Sequence, residues 1–222
     1  MRLYTIQPRF VYDMLCETGI FLSEPWKDAS NWICTDAPAI KLAYDWLRDV
    51  MVDRGLHKPS VDAYPIWAWY QYTGEQKRKP DLRFSDFKNY ARNGSHVLLT
   101  LDLPNDDILL HDFEAWHYPL NYFYLAAQRV SDRFERHCEN AGHPLYKDVP
   151  LKNKNLHDEV QRSWHTIFDL PACRRLFKRS RAEQSVQATF WSLSATHVTA
   201  VVEFGGGQRC RVLPLPRCSL GN

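Results

Sequence analysis

Several segments of the chain carry side chains able to do chemistry. His111, Asp112, Glu114 and His117 crowd around Trp116 in DFEAWHYPLN and the residues before it, a grouping suited to acid/base or hydrolytic work. The same spacing has a plainer use, with Asp112 capping the turn into the next segment and Trp116 packing beneath it. Gln187 lies in the alternating run SVQATFWSL, where Gln187, Thr189 and Trp191 share one side. Trp69 and Tyr70 lie in AYPIWAWYQY, an aromatic run suited either to a core or to stacking a flat ligand. Arg2, Tyr4, Thr5 and Gln7 stand on the opening segment RLYTIQP, where a strand would fix their polar atoms on the backbone of a sheet. His165 beside Trp164 reads as a partly buried helix residue, and Asn121 as a partner for loop backbone groups. G-x-S-x-G, the P-loop, H-E-x-x-H and a G-x-G-x-x-G following a strand are all missing. Gly205-Gly206-Gly207 has no helix after it to hold a phosphate and reads as a linker.

These residues need elements to position them. The opening strand stops at Pro8, a helix spans about Arg9 to Glu17 with Val11, Met14 and Leu15 on one side, Gly19 caps it, and Ile20-Phe21-Leu22 forms a second strand. A loop from Ser23 to Thr35 holds Trp26 and Trp32. Thr35 or Asp36 caps the following helix, in which Ile40, Ala43, Leu47, Val50 and Met51 recur at helical steps before Gly55. Ala63 to Tyr72 is a strand, with Tyr64, Ile66, Ala68, Tyr70 and Tyr72 on one face and Trp67, Trp69 and Gln71 on the other; Pro65 marks its start or an edge. Gly74 to Phe87 is a charged surface loop, expected to be mobile. His96 to Leu103 is a strand, and a shorter one begins at Ile108-Leu109-Leu110. DFEAWHYPLN reads as a loop or single helical turn, and a long helix is expected from Pro119 to Gly142. Another helix starts at Asn155 with Leu156, Val160, Trp164 and Ile167 on one face, and a short one carries the basic cluster that follows. Ser185 to Leu193 is a strand, Thr196 to Phe204 its expected partner, and residues 205–222 an irregular tail. This order predicts an α+β fold in a single domain, residues 1–204.

With 222 residues and 26.1 kDa, the chain is long enough to bury a large core. Eight Trp and eleven each of Tyr and Phe imply an aromatic core or a cleft that stacks a flat ligand. The net charge of +2 does not by itself announce a nucleic-acid binder. Charge is local, however: Arg174, Arg175, Lys178, Arg179 and Arg181 fall within eight residues, and Lys77, Arg78, Lys79 and Arg83 form a second cluster. Such runs suit a solvated surface, or contact with phosphate or RNA. The six cysteines lack CxxC spacing, and His137-Cys138 with His143 fits no standard zinc pattern, so no metal is expected. With no signal segment before the first strand and no run near the length of a membrane span, a cytoplasmic protein with reduced thiols is expected.

MRLYTIQP, VLLTLDLPNDDILLHDFEAWHYPLN and SVQATFW together resemble an uncharacterised bacterial family classed only as a domain of unknown function, over most of the chain up to about Phe204. More distantly, the layout is similar to the mono-ADP-ribosyltransferase fold, in which small antiparallel sheets form a split cleft for NAD and helices are inserted between strands. That resemblance implies NAD as cofactor, with Arg2, Trp69 and Tyr70 contacting it and Tyr4, Thr5 and Gln187 at the reacting end. The sequence departs from that family where charge matters, because its first strand lacks His and Gln187 stands where a carboxylate is expected. Cleaving the nicotinamide bond builds positive charge on the ribose, which a carboxylate stabilises and an amide can only hydrogen-bond. The resemblance thus implies an NAD-binding transferase-like protein acting on an unidentified protein or nucleic acid. A non-catalytic interaction module with an aromatic binding face is the alternative, and a hydrolase built on His111, Asp112 and His117 is a further one.

Overall fold

The computed structural model describes residues 1–24, 38–84, 87, 94–145, 147–205 and 208–217. The expected loop bearing Trp26 and Trp32, with its cap at Thr35 or Asp36, lies outside them. The fold is α+β with antiparallel pairing, as the order of segments implied.

The opening strand, β1 (Arg2–Pro8), runs straight into α1 (Arg9–Thr18), since Pro8 donates no hydrogen bond and has the φ of an entry residue. Gly19 closes α1 in the left-handed conformation at φ 77°, its N–H donating to the Leu15 carbonyl. Val11, Tyr12 and Leu15 are the buried face; Met14, expected among them, is partly exposed. β2 (Ile20–Leu22) follows, and α2 (Pro38–Asp53) buries Ala43, Tyr44, Trp46, Leu47, Val50 and Met51.

The central strands are β3 (Ile66–Gln71), β4 (Ser95–Asp102), β5 (Leu109–Asp112), β6 (Val186–Phe190), β8 (Val198–Gly205) and β9 (Gln208–Leu213). They join β1 in a seven-stranded sheet ordered β5-β6-β3-β1-β4-β8-β9, while β2 pairs separately with β7 (Ser192–Ser194). Two expectations are corrected here. The Thr196–Phe204 strand does not pair with Ser185–Leu193: β8 lies between β4 and β9, and β6 between β5 and β3. Part of the expected tail is β9, whose Val212 stands opposite Val202 at the sheet's edge. Its sequence lacks apolar alternation because an edge strand with one exposed face needs little of it: Val212 is 78% exposed and Leu213 buried.

The helices between β5 and β6 also differ from the long one expected. DFEAWHYPLN begins a full helix, α3 (Phe113–Leu120), and a second helix, α4 (Gln128–Asn140), starts only after an irregular stretch. The interruption falls at Tyr122, which takes a left-handed φ of 57° with its ring buried. Its hydroxyl accepts from the Leu151 amide at 3.0 Å and lies 2.7 Å from His157 Nδ1. α5 (Lys154–Trp164) is capped by Asn153 and α6 (Leu170–Phe177) by Asp169.

One side of the sheet, carrying Leu3, Ile66, Ala68, Leu99, Leu101, Ala188 and Phe190, packs on α1. The other side meets the helical layer, where α2, α3 and α5 share a tryptophan-rich core; Trp46 and Trp164 meet edge to face at 5.3 Å. Trp164 Nε1 donates to the Phe123 carbonyl and Trp191 Nε1 to that of Leu56, so these buried indoles keep their polar handles satisfied.

Candidate functional site

The seven strands are not joined evenly. β1 pairs with β4 from Arg2 opposite Asp102 to Pro8 opposite His96, but with β3 in a single register, Tyr4 opposite Trp69. The Thr5 hydroxyl adds a second link across this seam, donating to the Trp67 carbonyl at 2.6 Å while accepting from Gln7 Nε2 at 2.7 Å. A cleft of about 470 Å³ opens there, lined by Ile6 of β1, Trp67 and Trp69 of β3, Gln187 of β6, and the rings of Tyr72, Phe87 and Phe113.

The pairing carries one row of residues across this face, since directly opposed residues of antiparallel strands point the same way. Tyr4 stands opposite Trp69, Trp69 opposite Gln187, and Gln187 opposite His111. A register shift between Trp69 and Gln71 then brings Tyr72, expected on the opposite face, beside Trp69 with ring centroids 5.0 Å apart. Phe113 packs on Trp69 at 4.9 Å and Phe87 on Tyr72 at 5.4 Å. The walls of the cleft are therefore aromatic, and its polar contributions come from Gln187, Ser185 and Thr73. Among the described residues, Gln187 Oε1 and Trp67 Nε1 are buried without a hydrogen-bond partner. Buried polar atoms are nearly always paired, so an unpaired acceptor and an unpaired donor on the wall of one cleft mark a place where a ligand or water is expected to bind.

The positions singled out from sequence divide sharply. Tyr4, Trp69 and Gln187 are brought together, with Thr5 holding the cleft's inner edge. Arg2 does not line it: its side chain is largely exposed and pairs with Asp102 at 3.4 Å. Tyr70 turns to the opposite face, against the core that packs on α1, with the Arg78 guanidinium 5.0 Å above its ring. The group proposed for acid/base work is also dispersed. Asp112 is fully buried as the N-cap of α3, accepting from the Ala115 amide at 2.9 Å, from Gln184 Nε2 at 2.7 Å and from Arg179 at 3.2 Å. His117 is exposed, with Nδ1 3.0 Å from the Phe113 carbonyl. His111 is fully buried, its ring 4.9 Å from Trp67. Burial pushes its pKa down to about 3, opposed only by the Asp112 backbone, so the imidazole stays neutral in the wall behind Gln187. Trp67, Tyr72, Phe87, Phe113 and Ser185 were not foreseen as site residues; the crowding of aromatics around each was the available signal. Among the described residues no group of three or more His, Cys, Asp and Glu is placed to hold a metal ion, and no helix is long and apolar enough to cross a membrane.

Two turns close one side of the cleft. The turn after β3 is tied by Tyr72 N–H to the Arg78 carbonyl and Thr73 N–H to that of Lys77. It abuts the turn before β6: a Cβ on Gly74 would lie 1.7 Å from the Ala182 carbonyl oxygen, and Gly74 has φ +92°. Gly74→Ala therefore meets both a backbone clash and a conformation costly for any L side chain, and is expected to destabilise the fold by about 2 kcal/mol or more. Chemical denaturation checks this, and a loss below half that value would show that the turns separate without cost.

The fold and site define an α+β protein with an aromatic-walled cleft at the sparsely paired seam of its central sheet. The model of one family, described as "Domain of unknown function (DUF3841)", matches residues 2–199, and the chain belongs to that family. No curated protein and no solved structure matches it.

Proposed function

We propose that this protein binds a nucleotide of the NAD class in the cleft between β1 and β3, in the manner of an ADP-ribosyltransferase-like fold. The observation that carries this reading is Gln187: a buried, unpaired amide oxygen in register with Trp69, on the wall of a cleft whose other walls are aromatic rings. The volume lies within the range of small-molecule sites, and a few convergent polar groups among aromatics is their usual construction. A flat heterocycle can lie against the cleft-facing sides of Trp69, Tyr72 and Phe113, which pack on one another, where Gln187 Oε1 accepts from an exocyclic amide or amine and Trp67 Nε1 offers a donor nearby. Neutral His111 and Gln187 add no charge to this wall, so the arrangement suits holding a nucleotide more than stabilising a cationic ribose.

Thermal unfolding with and without NAD tests the reading. A ligand at one hundred times its Kd adds about 2.7 kcal/mol, which for a chain of this size raises Tm by roughly 5–10 °C. Gln187→Ala and Trp69→Ala are expected to remove most of that shift, and His117→Ala to leave it intact. The reading fails if millimolar NAD produces no shift in the wild type, or if Gln187→Ala retains it in full.

A further inference from the structure

We infer that the mouth of this cleft is a docking surface for single-stranded nucleic acid, with bases stacking toward the cleft and phosphates lying on a basic rim built from two separate turns. This deepens the proposed function by naming a partner for the same site.

The sequence holds two basic clusters about a hundred residues apart, and the fold joins them. Lys77 and Lys79 are exposed on the turn after β3, whose Arg78 guanidinium lies instead over Tyr70 on the other face, and Lys178 and Arg181 are exposed on the turn after α6. The turns touch where Gly74 meets the Ala182 carbonyl, and the Ser185 hydroxyl donates to the Tyr72 carbonyl at 2.7 Å. Thr73, Tyr72 and Ser185 line the cleft, so the joined turns form its rim. Asp81 pairs with Arg83 and Asp112 with Arg179, while Glu75 and Glu183 stay exposed on the two turns, so Lys77, Lys79, Lys178 and Arg181 outnumber the acids beside them.

Charge alone would suit any polyanion; the rings decide the class. Phe84, next to Arg83, is 51% exposed. Its ring lies 6.3 Å from Tyr72, which lies 5.0 Å from Trp69. These three rings step from solvent into the cleft beside the cations. Aromatic platforms interleaved with Lys and Arg bind single strands, because every base offers a π-face and every linkage a phosphate. An acidic peptide has no use for the rings, and a duplex keeps its bases stacked out of their reach.

Fluorescence anisotropy with a short labelled single-stranded oligonucleotide, as DNA and as RNA, tests this. Binding of at least one is expected, with an affinity that falls steeply with salt. The pairs Lys77→Glu with Lys79→Glu and Lys178→Glu with Arg181→Glu are each expected to weaken it by about tenfold or more and to flatten the salt dependence. Phe84→Ala, which leaves charge unchanged, is expected to weaken it by about tenfold as well. The inference is overturned if neither oligonucleotide binds, if the charge reversals leave affinity unchanged, or if a poly-glutamate peptide or duplex DNA binds as tightly. The NAD-induced rise in Tm, measured on Lys178→Glu with Arg181→Glu, separates the two readings. A retained shift with lost oligonucleotide binding supports the rim, whereas oligonucleotide binding without any NAD shift in the wild type leaves the rim standing and the nucleotide reading refuted.

Discussion

Glu203→Gln is expected to lower stability by about 2 kcal/mol at neutral pH, a drop of roughly 4–8 °C in Tm. Glu203 on β8 is 8% exposed and accepts from the Ser95 hydroxyl on β4, from Arg9 at the start of α1 and from Arg211 on β9. One carboxylate therefore ties an edge strand, an interior strand and a helix start together. Removing its charge leaves two guanidinium groups facing a neutral amide, with Arg9 keeping Asp13 and the exposed Arg211 turning to water. The Ser95 hydrogen bond leads in holding its pKa down to about 2, against the upward push of burial, with Arg211 and Arg9 adding to it.

The sign of the pH dependence follows. The folded-state pKa lies below the ordinary value of 4.5, so the stabilisation is complete above pH 4.5 and is lost as pH falls from there through about 2. Denaturation curves of wild type and Glu203→Gln should differ fully at pH 7, converge below pH 4.5 and meet near pH 2. A gap as large at pH 2 as at pH 7 would sink this account. Arg211→Ala should cost less, because its side chain is 63% exposed and water replaces much of what it gives.

How much of this was readable beforehand depended on whether a residue's role was local. α1 was, because Pro8, the helical spacing of Val11 and Leu15, and Gly19 are signals a few residues apart. The tryptophan faces of β3 were also readable from alternation, until the register shift after Trp69 moved Tyr72 across. A bulge answers to the partner strand, here β6, and leaves little trace in its own sequence. The same limit explains the pairing of β8. The sequence marks Thr196 to Phe204 as a strand, close to the observed β8, but its neighbours are chosen by long-range packing on β4 and β9. Alternation fixes the face on which Gln187 lies but says nothing of distance along a strand: Arg2 and Ile6 share β1, and of the two only Ile6 lines the cleft.

Asp112 makes the case for testing structure before chemistry. Asp112→Ala is expected to cost about 3–5 kcal/mol, as removal of one partner from a buried ion pair does, with loss of the α3 cap included. Three donors lose this carboxylate at once: the Ala115 amide, the Arg179 guanidinium, and Gln184 Nε2, which keeps the Leu170 carbonyl. Asp112→Asn keeps an oxygen for the cap and should lose roughly half as much, while Arg179→Ala should lose at least as much as Asp112→Asn because it leaves a fully buried carboxylate without its cation. His117→Ala, on the exposed side of α3, should fall within about 0.5 kcal/mol of wild type. An acid/base role predicts the reverse pattern, with Asp112→Asn folding normally and His117 mattering as much as Asp112. The network also has a functional consequence. Arg179 and Gln184 bracket Arg181 and Ala182, the residues that carry the basic rim against Gly74. Asp112→Ala should therefore weaken oligonucleotide binding even below its lowered Tm, whereas a variant that melts earlier by an equal amount through Glu203 should bind normally. Equal binding by both destabilised variants would show that the rim does not depend on Asp112 for its position.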